Sequence, residues 1–256
     1  MKIIDTHCHL YLPEFLPQLK EYIDRAIKIG IDKICLPAIE STYLQDMLAI
    51  ANLYPTLLFN MIGLHPCYVK ENYEAEKKII EENFHTHKFI AIGEIGLDYY
   101  WDITFKKQQI EMFEWQMEFA LEHKLPIVIH SRNAMEDTLN LVKPFANKGL
   151  SGIFHCFGDD ENVAKKIMDM GFYLGVGGII TYKKVNLIET LQKIGLNKVV
   201  LETDAPYLSP NPLRGKQNEP ANLQYIINFM ATNLNIPAEK ITETTTKNAE
   251  NIFFKP

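Results

Sequence analysis

Short runs rich in β-branched and aliphatic residues alternate along the whole chain with longer stretches whose apolar residues recur every three or four positions. The short runs predict strands at residues 2–5 (KIID), 33–37 (KICLP), 57–63 (LLFNMIG), 89–96 (FIAIGEIG), 127–131 (IVIHS), 151–156 (SGIFHC), 172–178 (FYLGVGG) and 198–204 (KVVLETD). The longer stretches predict helices. One covers 16–30, with Leu16, Leu19, Ile23 and Ile27 on one face and Gly30 as its stop. A second covers 105–124, and a third, at 160–171, is capped by Asp159 or Asp160 and stopped by Gly171. Two more, at 222–234 and 238–254, form a final pair.

Eight strands, each followed by a helix, predict an α/β protein of the (β/α)8 TIM-barrel class. The alternative is an open, doubly wound sheet. Chemically rich residues fall at the ends of strands 1, 3, 4, 5, 6 and 8 in chain order. A barrel gathers all those ends at one mouth, whereas an open sheet has a single crevice at its switch point. The barrel is therefore expected, with its site at the C-terminal mouth of the strands. No linker, repeat or low-complexity segment divides residues 1–256, so one domain is expected.

Composition narrows the picture. The chain of 256 residues is 47% hydrophobic and 23% charged, which suffices for a core without staples. No uncharged apolar stretch reaches the ~18 residues of a membrane span, and no secretory signal is present. Four cysteines (Cys8, Cys35, Cys67, Cys156) form no CxxC pair, so the cytoplasm is the expected location. A net charge of −6 disfavours an extensive grip on duplex DNA, although a local basic patch remains compatible with it. Oligomeric state is not written in the pattern; a monomer is the simplest expectation.

Candidate chemistry begins at DTHCHL. Along a strand, residues two apart share a face, so Asp5, His7 and His9 are expected to line one side of strand 1 and its exit. Two imidazoles about 7 Å apart along the backbone can converge on one cation. An isolated HxH is as readily a hydrogen-bonded pair. What changes the balance is that Glu94, His130, His155 and Asp204 each follow apolar strand residues at the same end of other strands. Burying such groups is costly unless they are paired or bind metal. The six residues His7, His9, Glu94, His130, His155 and Asp204 are too many for one tetrahedral zinc. They suit two divalent ions sharing a bridge.

The motifs DTHCHL, GLHP (63–66), GEIGLDY (93–99), HSR (130–132), HCF (155–157), ETDAPYL (202–208) and RGKQNEP (214–220) together resemble the TatD family of metal-dependent hydrolases, within the amidohydrolase superfamily. The resemblance runs from residue 1 to about residue 253. It implies a (β/α)8 barrel with two divalent ions, whether Zn, Mg, Mn, Ni or Fe. It also implies deoxyribonuclease activity, chiefly 3′→5′ exonuclease action, and phosphoester hydrolysis generally. By motif position, His7, His9, Asp204 and Glu94 would hold one ion; His130 and His155 would hold the other, with Glu94 as bridge. Glu94 and Asp204 are then the catalytic pair. A divalent ion lowers the pKa of bound water to about 7, and Asp204 can accept the proton.

Other residues are candidates for substrate contact or for support of the ligands. Glu202 is expected to share a face with Asp204, as a tuning group, a water or ion holder, or a buried structural acid. Arg132 offers a planar fork for phosphate or closes its loop with a salt bridge; Arg214, with Lys216 nearby, binds phosphate or is a solvated loop charge. His65 is expected behind the ligands or at the substrate rather than on a metal. Asp98 is expected to orient a ligand or a water or to cap a loop, and Asp5 to orient a ligand from behind or to make a barrel-floor hydrogen bond. Tyr99, Tyr100 and Trp101 are expected to pack on the rim, with stacking on bases as the other reading. Cys8 is expected to point away from His7 and His9. Gln217 stands where many family members carry another basic residue, which weakens the expectation of a strong polynucleotide grip.

Three functions follow. The first is a two-metal nuclease acting on single-stranded or frayed 3′ ends of DNA. The second keeps that chemistry on a small phosphoester, lactone or amide. The third, a non-catalytic scaffold, would be marked by lost ligands, and all six are present.

Overall fold

A computed structural model describes residues 2–254. Its parallel strands are β1 (Ile3–Asp5), β2 (Ile31–Leu36), β3 (Leu58–Asn60), β4 (Ile92–Asp98), β5 (Ile127–Arg132), β6 (Gly152–Phe154), β7 (Tyr173–Val176) and β8 (Val199–Leu201). Its α-helices are α1 (Leu19–Lys28), α2 (Leu44–Leu53), α3 (Tyr73–Phe84), α4 (Lys106–Glu122), α5 (Met135–Ala146), α6 (Glu161–Asp169), α7 (Leu187–Ile194), α8 (Leu223–Leu234) and α9 (Ala238–Phe253). Each strand overlaps the apolar run that predicts it. Among the described residues, no helix is long and apolar enough to cross a membrane.

Strands pair in the orders β1-β2-β3 and β4-β5-β6-β7-β8. Backbone contacts close both seams. At one, Ile62 bridges Ile92, and the Gly93 N–H donates to the Ile62 carbonyl at 2.9 Å. At the other, Cys8 bridges Ala205, while Thr6 N–H donates to Leu201 O at 3.0 Å and Asp204 N–H to His7 O at 2.8 Å. Both outer strands of each group thus find partners, and the fold is a (β/α)8 barrel rather than an open sheet.

Two apolar layers hold it together. Ile4, Cys35, Met61, Ala91, Val128, Ile153, Tyr173 and Val200 form a compact cluster with Ala249 and Phe253 of α9. Each strand, or the segment adjoining it, contributes one residue, which identifies this cluster as the packed barrel interior. The larger cluster, including Ile34, Leu36, Ile127, Ile129, Leu174 and Leu201, lies between strands and helices. Helix α9 seals the floor: Asn248 Nδ2 donates to the carbonyls of Leu196 and Val199, and Thr246 Oγ1 to that of Lys2, each at 2.8 Å. The polar site therefore occupies the opposite end.

Local signals hold with one exception. Asp160 caps α6, its Oδ1 accepting from Asn162 N–H and Val163 N–H, and Gly171 stops the segment at φ +89. In α1, however, the buried stripe is Leu19, Ile23 and Ala26, whereas Ile27 is 54% exposed. A 3-10 turn at Leu16–Gln18 precedes α1, so Leu16 falls outside its helical phase, and Ile27 lies at the stripe's solvent edge. Substituting Ile153→Ala should therefore cost about 2–5 kcal/mol, while Ile27→Ala should change stability by less than about 0.5 kcal/mol. Equilibrium urea unfolding of both variants checks this contrast.

Candidate metal centre

Strand periodicity delivers much of the site. From the interior residues Val128, Ile153 and Val200, two steps along β5, β6 and β8 lead to His130, His155 and Glu202. Two further steps lead to Asp204, whose φ of +56 lies in the left-handed region. Backbone bonds hold that conformation: Asp204 N–H donates to His7 O, and Tyr207 N–H to Asp204 O, both at 2.8 Å. On β4 the pairing register shifts between Ile92 and Ile95, next to Glu94. β1 ends at Asp5, and at its exit His7 and His9 bring their Nε2 atoms within 3.2 Å of each other, as expected, but Asp5 does not join them. His7 and His9 lie on the segment that closes the seam with β8, and Asp5 turns instead to Thr203.

Everything converges on the Glu94 carboxylate, which is 3% exposed. Its Oε2 lies 3.1 Å from His7 Nε2 and 3.7 Å from His9 Nε2. Its Oε1 lies 2.8 Å from His155 Nε2, 2.9 Å from His130 Nδ1 and 3.3 Å from His65 Nε2. Asp204 Oδ1 stands 3.6 Å from His7 Nε2 and 3.5 Å from His9 Nε2. The rings of His7 and His155 stack, with centroids 4.0 Å apart. Burial alone would raise Glu94, but His155, His65, His7 and His130 outweigh it and hold the carboxyl well below the usual range.

Hydrogen bonds sort the imidazoles by tautomer. Tyr11 OH donates to Pro37 O at 2.6 Å, so it must accept from His9 Nδ1 at 2.9 Å. The proton on Nδ1 leaves His9 Nε2 with its lone pair facing the centre. His130 Nε2 lies 2.8 Å from Asp98 Oδ2, which turns His130 Nδ1 inward, towards Glu94. His65 behaves oppositely: its Nδ1 accepts from Cys67 N–H at 3.1 Å, so Nε2 carries the proton towards Glu94. His65 is thus a donor, although it lies close enough to Glu94 and His130 to be counted with them by distance alone.

The groups behind these imidazoles are equally specific. Asp98 both orients His130 and caps the following loop, its Oδ1 accepting from Tyr100 N–H and Trp101 N–H. Burial opposes its charge, but the His130 hydrogen bond and the two amides hold Asp98 well below the usual carboxylate range. Asp5 accepts from Thr203 N–H, Thr203 Oγ1 and His7 N–H, tying the two seam strands together; burial pushes it up to about 8 against those bonds. Glu202 is fully buried over Gly175, where a Cβ would collide with its Oε2, and it accepts from Cys156 N–H. It faces His155 Nδ1 at 3.5 Å.

Sequence reasoning missed the residues that fix the loops. Gln109 and Gln116 sit seven apart on the buried side of α4. Gln116 grips both the N–H and the C=O of Leu64, beside His65; Gln109 does the same for Asp98. Asn218, fully buried, donates to Thr203 O and Tyr207 O on either side of Asp204. Their signal was polar residues inside otherwise buried segments.

At the mouth, a cavity of about 640 Å³ is lined by His9, His65, Glu94, Trp101, Arg132 and Asp204, among others. Arg132 makes no salt bridge among the described residues and lies over the rings of Tyr100 and Trp101, at 4.0 and 5.2 Å. Tyr99 packs down, donating to Asp137, whereas Tyr100 and Trp101 remain exposed. Arg214 stands outside the lining, stacked on Tyr182 at 4.5 Å. Arg25, the third arginine, is committed to Glu219. Cys8 turns to the Ala205 carbonyl, away from the centre.

The donor set fits cations. His7 Nε2 and His9 Nε2 are 3.2 Å apart, and His130 Nδ1 and His155 Nε2 are 3.3 Å apart. Lone pairs so close repel unless a proton or cation lies between them. His7 Nδ1, His155 Nδ1 and Glu202 Oε2 are buried without hydrogen-bond partners, as polar atoms around an ionic centre often are. The barrel and its site are those of a metal-dependent hydrolase. The profile of the family described as TatD related DNase matches residues 4–254, and the chain belongs to the TatD family. It is 34% identical over 252 residues to the uncharacterized metal-dependent hydrolase YabD of Bacillus subtilis, covering 98% of each chain. It is 31% identical over 261 residues to the uncharacterized metal-dependent hydrolase YcfH of Escherichia coli K12, covering 99% of this chain and 96% of that protein. The crystal structure of YjjV, a TatD homologue from Escherichia coli K12, superposes with a TM-score of 0.92 at 28% identity, covering 99% and 98% of the two chains.

Two outcomes follow. Gln116→Leu should destabilise the protein by about 1–3 kcal/mol for each Leu64 backbone group left unpaired in the interior, measured by urea unfolding. His130 and His155 are disfavoured as cations by burial, yet Asp98, Glu94 and Glu202 hold both above the ordinary imidazole value of 6.5. A divalent ion must displace those protons, so its affinity should rise as pH increases above 6.5. Calorimetric titration in buffers of different ionisation enthalpy should show proton release.

Proposed function

We propose that this chain is a two-metal phosphodiesterase that trims DNA from single-stranded or frayed 3′ ends. The observation that carries the reading is the division of Glu94 between two sets of imidazoles, one on each carboxylate oxygen. His7, His9 and Asp204 would hold one divalent ion with Glu94; His130 and His155 would hold the other. Ions bound there supply water of lowered pKa and positive charge opposite the developing oxyanion.

The chain's own groups do the rest. Burial works against ionised Asp204, but His9, His7 and His155 outweigh it and hold the carboxylate below its usual range. It lines the cavity and accepts the proton of the attacking water. Arg132 presents its fork to the phosphate, held in place by Tyr100 and Trp101. His65 offers its Nε2 proton beside Glu94. Asp98 and Asp5 keep His130 and the seam in position.

A second reading, the same chemistry on a small phosphoester, lactone or amide, draws on one observation: Arg132 is the only arginine or lysine among the described lining residues. Protein loaded with Mg²⁺, Mn²⁺ or Zn²⁺ should release mononucleotides from single-stranded DNA. Asp204→Ala should lower kcat by about 10²–10⁴-fold, and Glu94→Ala should abolish turnover. Intact DNA alongside hydrolysis of bis-p-nitrophenyl phosphate or a lactone would select the second reading.

A further inference from the structure

The loops after β7 and β8 interlock. Asn211 N–H donates to Thr181 Oγ1 at 2.9 Å, Asn211 Nδ2 to Thr181 O at 2.7 Å, and Tyr182 OH to Ser209 O at 2.9 Å. Gly178 packs so closely on the Leu208 carbonyl that a Cβ there would collide with it. Arg214 stacks on Tyr182 and so joins the two loops on their outer side. Residues 178–186 and 205–218 contain no carboxylate. They carry Lys183, Lys184, Arg214 and Lys216, all exposed. None of the four makes an ion pair among the described residues. The adjoining acid Glu219 is taken up by Arg25. In a chain of net charge −6, this is a local excess of positive charge on a rigid support.

The same two loops supply Ile179, Tyr207 and Leu208 to the wall of the mouth cavity. Lys183, Lys184, Arg214 and Lys216 belong to these same loops and lie outside the lining of the cavity. A small phosphoester would fit within about 640 Å³ and leave them idle. A chain with one negative charge per nucleotide would pass over them. We propose that Lys183, Lys184, Arg214 and Lys216 form a preorganised track for the phosphodiester backbone of a single-stranded polynucleotide whose end lies in the cavity. This rests on the phosphodiesterase reading of that cavity. Such a track supplies affinity without sequence preference. Because the same loops also wall the cavity, an occupant that reaches into it, a polynucleotide rather than a membrane surface, is favoured.

The test uses Lys183→Ala/Lys184→Ala, with Lys183→Arg/Lys184→Arg as the charge-conserving control. Wild type should bind fluorescein-labelled (dT)20 more tightly than a dinucleotide, by anisotropy in the presence of EDTA. The alanine variant should bind (dT)20 about tenfold more weakly, and its plot of log affinity against log salt should be shallower by about 1.4, the slope of two phosphate contacts on a single strand. The arginine variant should keep wild-type binding, and bis-p-nitrophenyl phosphate turnover should stay within twofold in both. Unchanged (dT)20 binding by the alanine variant would overturn the track. So would equal wild-type affinity for (dT)20 and the dinucleotide, or preference for phosphatidylserine vesicles over (dT)20. If no phosphoester is hydrolysed while (dT)20 binding still falls in the alanine variant, the track stands and the phosphodiesterase reading fails.

Discussion

A buried carboxylate surrounded by imidazoles is the constraint on which the rest depends. Glu94 is almost wholly removed from water, and an isolated charge there would be prohibitively costly. It is tolerated because His7, His65, His130 and His155 place ring nitrogens within 2.8–3.3 Å of its oxygens. Those rings come from the loop after β1, the loop after β3, β5 and the exit of β6. Satisfying one carboxylate therefore requires most of the barrel to be closed and in register. The reverse also holds: so many imidazoles confined together need a concentrated negative charge among them.

Around that centre runs a shell of hydrogen bonds that aim rather than react. Tyr11 sets the tautomer of His9, Asp98 that of His130, and Cys67 N–H that of His65. The first two leave a lone pair pointing inward, and the third leaves a proton. Chemically similar side chains thereby acquire different roles from their outer partners alone. Asp98 does more, because the carboxylate that orients His130 also fixes the backbone of Tyr100 and Trp101. Helix α4 steadies the same region from outside, through paired amide contacts from Gln109 and Gln116.

The barrel and the six convergent groups were readable from the sequence because each depends on local pattern. Apolar strands announce themselves by composition, and a His or Asp at the polar end of such a strand has few other places to go. Other features depend on contacts far apart in the chain. Gln116 binds Leu64 across 52 residues, and Asp5 binds Thr203 across 198. No periodicity encodes such a pairing. The expected common side holds for His7 and His9 but not for Asp5, which turns to Thr203 where the chain closes the seam. The aromatic run divided: Tyr99 packs as expected, while the turn around Asp98 leaves Tyr100 and Trp101 exposed beside Arg132.

The seam between β1 and β8 has a consequence for the order of assembly. Thr6 and Leu201, joined there by backbone and side chain, stand 195 residues apart. During synthesis His7 and His9 leave the ribosome well before Thr203 and Asp204, which follow nearly two hundred residues later. A nascent chain can pair β2 with β3, or β4 with β5, but it has no closed wall against which the first histidines can be held. The centre is thus complete only once these two parts of the chain have met, and a partly made chain carries the histidines without the geometry that gathers them.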